Sequence, residues 1–391
     1  MKNEEIEAPY ELPEGWKWES LANTCDMYQP KTISTKELIE NGKYLVYGAN
    51  GIIGRYDKYN HEKSQLLVTC RGATCGAVNI SEPYSWINGN AMVINPKNEK
   101  LDLKYLSYIF QSEVNFGKLI TGSAQPQITR QSLLPVLFPL PPLSEQQRIV
   151  NRIESMFAKL DEAKEKAQNV VDGFETRKAA ILHKAFTGEL TAKWRKENGV
   201  SDDSWVEKRF DEVAEIKSNL VDIAKYQDFP HIAPDNIEKK TGVLLEYHTV
   251  AEDRVTSGKH RFYAGQILYS KIRPYLSKVV IVDFDGVCSA DMYPIEAKGD
   301  TKFLWYQMLS NEFLDKASNS GSRSVLPKIN QKELSIIPMR TCSFPEQQEI
   351  VRILDSVLEK ESRAKEAAQT VLEQIALLKK SILARAFRGE L

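Results

Sequence analysis

The chain has 391 residues, of which 42% are hydrophobic and 27% are charged, an ordinary composition for two or three globular domains. Its formal net charge of −1 gives no general attraction to nucleic acid, so such a partner would have to be held by local charge. The charged start resembles no export signal, and prolines break the most apolar stretch, so we expect neither export nor a membrane span.

Residues 1–142 predict a β-rich globular domain. Short runs of β-branched and aromatic residues, as at 43–47, 66–69 and 91–94, alternate with Gly, Asn and Pro. A short helix is expected at 103–111.

Polar side chains in the turns of this first domain are candidates for contact with DNA. Arg71 ends an apolar run beside Gly72, which permits a close approach of the backbone. Amide and hydroxyl groups suit adenine edges or phosphates, and an ordinary surface loop is the alternative for each of them. The candidates are Arg55, Lys58, Arg71, Ser123, Gln125 and Gln127.

The glycine-rich segment 48–54 follows a predicted strand and looks like the phosphate-binding turn of a nicotinamide-dependent oxidoreductase. Its context differs, because residues 55–62 lack an amphipathic helix pattern and the next apolar run ends in Arg71 rather than in an acid. A turn within a β-rich domain is therefore predicted.

Residues 143–190 predict a long helix. Apolar residues recur in alternating steps of four and three, the spacing of a coiled-coil seam. Gly188 stands where a left-handed stop is expected. The seam consists of Ile149, Ile153, Met156, Leu160, Ala163, Ala167, Val170 and Phe174.

A polar, glycine-containing segment at 191–202 predicts a linker, and residues 203–341 predict a second β-rich domain. Strands are expected at 266–270 and 278–282, and a short helix at 302–309. The two predicted domains thus share one texture.

Residues 254–278 are the strongest candidate surface for nucleic acid, because six basic residues are interleaved with aromatic ones and no acid interrupts them. Basic side chains contact phosphates, and an arginine fork can read guanine. The alternative is a solvated hairpin whose lysines face water. The candidates in this domain are Arg254, Lys259, Arg261, Lys271, Arg273, Tyr275, Lys278, Ser322, Arg323 and Ser324.

Residues 342–391 predict a second long helix that repeats the first. Residues 145–190 and 346–391 match at a constant offset of 201, with 21 of 46 positions identical and no gap. Ser343 and Glu346 offer a capping box at its start. Its predicted seam is Ile350, Leu354, Val357, Ala364, Ala368, Val371, Ile375, Leu378 and Ile382.

Each predicted seam contains a charged position, Arg177 in the first helix and Glu361 in the second. If these two face each other, the helices are antiparallel about a pseudo-two-fold axis near residue 168, and Leu160 faces Leu378. A parallel pairing would face each charge with a leucine, at a cost of several kcal/mol. We therefore expect an antiparallel coiled coil.

The segment Pro-Leu-Pro-Pro-Leu-Ser-Glu-Gln-Gln-Arg-Ile-Val at 139–150 resembles the start of the first helix in specificity subunits of type I restriction–modification systems. Looser similarities to their target-recognition domains occur at 12–16, 47–54, 265–275 and 288–292, so the resemblance covers essentially the whole chain. The second copy departs at 341–345, where a Pro-Pro-Leu run would be usual.

The resemblance implies an α+β protein with two target-recognition domains, each followed by a long helix. Each domain would read one half of a split, asymmetric site in double-stranded DNA. The paired helices would space the domains and dock two modification (methyltransferase) subunits, and restriction (motor-nuclease) subunits would complete the complex. S-adenosylmethionine, ATP and Mg²⁺ would belong to those partners.

No methyltransferase or Walker motif occurs in the sequence, so we expect no active site, cofactor or metal in this chain. The five cysteines are scattered, which suits reduced thiols in the cytoplasm. Two alternatives remain open, the oxidoreductase and a purely structural coiled-coil protein. Specific retention of a split DNA motif is expected only for a specificity subunit.

Overall fold

The computed structural model describes residues 10–48, 50–121, 126–319 and 327–391. The chain divides into two compact units. The first unit comprises residues 1–168 and 369–391, and the second comprises residues 169–368.

The described residues form the following strands and helices. The strands are β1 Lys17–Ser20, β2 Cys25–Tyr28, β3 Tyr44–Gly48, β4 Gly51–Tyr56, β5 Leu66–Thr69, β6 Val78–Ile80, β7 Trp86–Ile87, β8 Ala91–Pro96, β9 Leu137–Leu140, β10 Val206–Arg209, β11 Ala214–Ile216, β12 Leu220–Val221, β13 Pro230–Ile232, β14 His248–Thr249, β15 Lys259–Phe262, β16 Ile267–Ser270, β17 Val279–Ile281, β18 Gly286–Cys288, β19 Met292–Ala297 and β20 Pro338–Thr341. The helices are α1 Leu21–Thr24, α2 Leu103–Ser112, α3 Phe116–Leu119, α4 Arg130–Leu133, α5 Leu143–Asp172, α6 Phe174–Thr187, α7 Ala192–Glu197, α8 Phe210–Val213, α9 Thr301–Met308, α10 Asn311–Asn319, α11 Gln331–Ser335 and α12 Phe344–Phe387. Short 3₁₀ helices lie at Thr35–Glu37, Asp202–Ser204, Ile223–Lys225, Pro234–Asn236 and Pro274–Leu276.

The strands and short helices expected from the sequence are present, with ends that differ by at most two residues. Within the glycine-rich segment, Gly48 ends β3 and Gly51 begins β4, and the two strands form an antiparallel hairpin in which these two glycines face each other. The prediction of a turn there is confirmed. The dinucleotide-binding alternative is not supported, because a strand rather than a helix follows the glycines.

The two units contain sheets of the same topology. In the first unit, one sheet has the order β2-β8-β5-β6, and in the second the corresponding sheet has the order β11-β19-β16-β17. Each unit also has a second sheet with one parallel pair. It has three strands in the first unit, where β3 pairs with β7, and five in the second, where β13 pairs with β18. A two-stranded antiparallel sheet joins the ends of each globule, β1 with β9 and β10 with β20.

Strand β5 shows why each globule has three layers. All four of its residues are buried, so both faces of the strand are covered. Leu66 and Val68 point to the helical side with Tyr105, whereas Leu67 belongs to a second apolar cluster with Ile87 of the smaller sheet. In the second unit, β16 is divided in the same way between two clusters.

A buried glutamine ties the first long helix to the globule of the first unit. Gln146 is fully buried, and its Oε1 accepts a hydrogen bond from the backbone N–H of Asp102, the N-cap of α2. Its Nε2 donates to the carbonyl oxygens of Lys100 and Pro141, both at 2.9 Å.

The equivalent glutamine does the same in the second unit. Gln347 Oε1 accepts from the N–H of Asp300, the N-cap of α9, at 2.9 Å. Its Nε2 donates to the Cys342 carbonyl oxygen and to Thr341 Oγ1. The first glutamine of the repeated Glu-Gln-Gln is thus a structural clamp.

In the second unit, Arg177 of α6 lies against α12. Its Nε is 2.7 Å from Oε2 of Glu361, so the expected ion pair is present. The same guanidinium donates to the Val170 carbonyl oxygen, beside the break between α5 and α6 at Gly173. A Cβ at Gly173 would lie 2.4 Å from Arg177 Nη1, so glycine makes room for this contact.

In the first unit, part of the predicted seam of α12 has to be corrected. Ile375 and Ile382 are buried as expected, but Val371 and Leu378 are 39% and 50% exposed. Lys379, the next residue, carries the contact with α5, with its Nζ 2.5 Å from Oδ1 of Asp161. Lys379 rather than Leu378 therefore faces Asp161 of α5, whereas Ile375 and Ile382 keep their predicted positions.

The segment expected as a linker contains the short helix α7 and a buried arginine. Arg195 donates to Oε1 of Glu346 at 2.7 Å, and Thr191 and Trp205 donate to the same oxygen. Glu346 is fully buried. Its carboxylate binds donors from the segment between the two predicted domains instead of forming the expected capping box.

Candidate nucleic-acid interface

Strand β15 places Lys259 and Arg261, two basic residues of the stretch 254–278, in the five-stranded sheet of the second unit. The Arg261 guanidinium carbon lies 4.6 Å from the ring centre of Tyr263 and 5.6 Å from that of Tyr226. Its Nε has no hydrogen-bond partner among the described residues. Aromatic rings therefore orient this guanidinium and leave donors for another acceptor.

Lys271 follows β16 and lies over the ring of Tyr293, with Nζ 5.1 Å from its centre. Burial, and then the neighbouring charge of Lys328, lowers the pKa of Lys271. Burial and the charge of Lys271 likewise lower the pKa of His260. Lys271 supplies a cation at this surface, whereas the neighbouring Lys328 is paired with Asp291 at 2.8 Å. A DNA phosphate would neutralise the charge of Lys271.

Main-chain hydrogen bonds join the residues after β16 to the segment before α11. The N–H of Arg273 donates to the Pro327 carbonyl oxygen at 2.8 Å, and the N–H of Ile329 donates to the Lys271 carbonyl oxygen at 2.9 Å. We call residues 271–273 together with 327–329 the second corner.

The first unit contains the same arrangement at the end of β5. The N–H of Gly72 donates to the Pro126 carbonyl oxygen at 3.3 Å, and the N–H of Ile128 donates to the Cys70 carbonyl oxygen at 2.9 Å. We call residues 70–72 together with 126–128 the first corner. The corner brings Arg71 and Gln127 together as a bridged pair, as Ile272 and Lys328 are in the second corner.

Several candidates are already bound within the protein. Lys278 Nζ donates to the Pro234 carbonyl oxygen at 2.6 Å, and its side chain is only 15% exposed. Arg55 Nη1 donates to the Gly42 carbonyl oxygen, and Lys259 Nζ donates to Ser257. Each of these three side chains therefore uses at least one donor inside the protein, and a role for them in DNA contact stays a prediction.

The remaining candidates divide into two groups. Lys58, Arg71, Arg254, Arg273 and Tyr275 are exposed on turns or short elements. Ser123, Gln125, Ser322, Arg323 and Ser324 lie outside the described residues.

Sequence reasoning missed Lys328 and Tyr226. Lys328 occupies the position equivalent to Gln127, so the offset of 201 could have identified it. Tyr226 lies far from Arg261 in the sequence, and no local pattern signals their contact.

The described part of the chain contains no group of three or more His, Cys, Asp and Glu side chains arranged to hold a metal ion. No helix formed by the same described residues is both long and apolar enough to span a lipid bilayer.

Comparison with known proteins gives a consistent family. The profile of the type I restriction modification DNA specificity domain matches residues 13–171 and again residues 202–374. The specificity subunit of the type I restriction enzyme EcoDI from Escherichia coli is 35% identical over 407 residues, covering 97% of this chain and 89% of that protein.

Two solved structures have a similar fold. The HsdS subunit from Thermoanaerobacter tengcongensis superposes with a TM-score of 0.64 and 17% identity, covering 98% of this chain and 99% of that one. A chain from a study of complex assembly and conformational transition in the type I R-M system gives a TM-score of 0.72 and 18% identity, covering 98% and 100%.

Proposed function

The chain belongs to the type I restriction–modification DNA specificity family, and on that basis we propose how its two recognition domains act. Each domain reads one half of a split, asymmetric site in double-stranded DNA. The chain itself is non-catalytic and works in the cytoplasm within a larger complex.

The proposal rests on the shared strand order of the four-stranded sheets in the two units, together with the different residues at the two equivalent corners. Two copies of one reader in a single chain resemble a two-fold dimer bound to paired half-sites. Because the first corner presents Arg71 and Gln127 and the second presents Lys271, Arg273 and Lys328, the two half-sites would differ in sequence.

The long helices would be the spacer between the domains. Within the second unit, Lys365 lies over Phe174 as Glu361 pairs with Arg177, so numbers rise along one helix as they fall along the other. In the first unit, Ile382 and Ala386 belong to the same core cluster as Ile149 and Ile153. These contacts support an antiparallel coiled coil with a pseudo-two-fold axis.

We further propose that this coiled coil docks two modification subunits, which supply S-adenosylmethionine-dependent adenine methylation. Restriction subunits would supply ATP- and Mg²⁺-dependent translocation and cleavage. This chain would determine where on the DNA the complex binds and how its subunits are arranged.

A domain exchange tests the proposal. Residues 206–341 are replaced by the corresponding segment of the Escherichia coli relative, a choice that retains the Thr191, Arg195 and Trp205 contacts with Glu346. The full chain with its modification subunits is then offered random DNA duplexes, and bound sequences are determined. We expect one half of the selected motif to change, whereas a change in both halves would contradict modular reading.

A further inference from the structure

Arg273 stands in a backbone conformation that arginine rarely adopts. Its φ of +48° lies in the left-handed region, which crowds the Cβ of every residue except glycine. Arg273 also precedes Pro274, and residues before proline favour an extended backbone. Two independent preferences are therefore overridden at this position.

The equivalent residue in the first corner is Gly72, with a φ of +86°. Both residues donate their N–H to a proline carbonyl oxygen at the same place in the corner. A Cβ built on Gly72 would meet no described atom within 4 Å, so the corner has room for a side chain there. The same backbone shape thus carries glycine in one unit and a strained arginine in the other.

Contacts among the described residues do not explain the arginine. Its side chain is exposed, and among the described residues no hydrogen bond or ion pair holds its guanidinium. Two lysines of the corner, Lys271 and Lys328, lie nearby, of which Lys328 is paired with Asp291 at 2.8 Å, and Tyr275 is 46% exposed. A strained residue of this kind is typical of positions where the side chain serves binding rather than folding.

We propose that Arg273 reads the O6 and N7 edge of a guanine in the half-site assigned to the second domain, an inference that rests on the proposed function. A flexible basic side chain reaches a phosphate from an ordinary backbone, so phosphate contact requires no strain. Two parallel hydrogen bonds from a planar fork require a fixed direction, which the left-handed corner provides.

Three variants of the full chain, assembled with its modification subunits, separate the contributions of the side chain and the backbone. Arg273→Ala removes the fork and keeps the strain, whereas Arg273→Gly removes both. The control is Ser277→Gly, because Ser277 lies outside the corner with a buried side chain, has a φ of +46°, and its equivalent in the first unit is Gly76 at +92°. Each variant is tested against the duplex that the unmodified chain selects from random sequences, and against an unrelated duplex.

We expect both Arg273 variants to lose about 10- to 100-fold in affinity for the selected duplex and little for the unrelated one. Arg273→Gly and Ser277→Gly should raise Tm by about 1–3 °C, and Ser277→Gly should bind normally. Unchanged binding by Arg273→Ala, or equal weakening on both duplexes, would overturn the reading role. If the unmodified chain selected no motif, the proposed function would fail and this inference with it.

Discussion

The Nε of Arg177 lies 2.7 Å from Oε2 of Glu361, a residue 184 positions away in the sequence, and this ion pair connects α6 with α12. Each residue interrupts an otherwise apolar seam. Their contact shows why both interruptions are tolerated, since each charge is compensated by the other.

The first prediction concerns the strength of this pair. The side chains are 39% and 25% exposed, so water weakens the attraction. A double-mutant cycle with Arg177→Met and Glu361→Gln should give a coupling energy of about 0.5–1 kcal/mol in urea unfolding. A coupling of zero would show that the two residues do not interact in solution.

The second prediction compares two equivalent glutamates. Glu346 is fully buried against Arg195, so Glu346→Gln should lower the free energy of unfolding by about 3–5 kcal/mol. Its counterpart Glu145 is 28% exposed and pairs with the exposed Arg148, so Glu145→Gln should cost less than about 1 kcal/mol. Equal effects would contradict the different environments of the two sites.

The third prediction concerns the glutamine clamp. Gln347→Ala leaves the N–H of Asp300 and the carbonyl oxygen of Cys342 without their partner, at a cost of about 2–4 kcal/mol. The exposed neighbour Gln348 is the control, and Gln348→Ala should change the unfolding free energy little. Thermal or urea unfolding of the full chain measures both.

The fourth prediction separates open lysines from internally bound ones. Lys271→Ala should weaken binding to all DNA sequences and reduce the slope of log affinity against log salt by about one. Lys278→Ala should leave that slope unchanged, because Lys278 Nζ is held by Pro234. The opposite ranking of the two variants would place the DNA on another surface.

The fifth prediction concerns chemistry. The purified chain should transfer no methyl group to DNA and should support methylation once its modification subunit is added. Incorporation of labelled methyl groups into duplex DNA measures both states. Transfer by the chain alone, persisting through further purification, would refute the non-catalytic role.

Much of the fold follows from patterns that the sequence displays openly. The offset of 201 identified the paired long helices, and the apolar runs identified the central strands such as β5 and β16. The contact between Arg177 and Glu361 was predictable because a charge on an apolar seam requires a partner.

Other features depend on tertiary contacts that spacing does not encode. A glutamate near a helix start suits a capping box as well as a buried ion pair, so the contact of Glu346 with Arg195 could not be chosen in advance. The contact of Lys379, rather than Leu378, with α5 depends on the rotation of α12 about its axis, which the apolar spacing alone does not determine. The left-handed backbone of Arg273 was hidden for the same reason, although alignment with Gly72 would have drawn attention to it.

The two corners also bear on how such a protein can acquire new targets. Peptide groups, rather than side chains, make the hydrogen bonds between 70–72 and 126–128 and between 271–273 and 327–329. Exchanging the outward-facing residues therefore leaves those bonds in place and disturbs the globule little. If the corners read DNA as proposed, substitutions at these few positions would change the base sequence that is bound while the scaffold stays folded, and single substitutions would suffice to alter specificity.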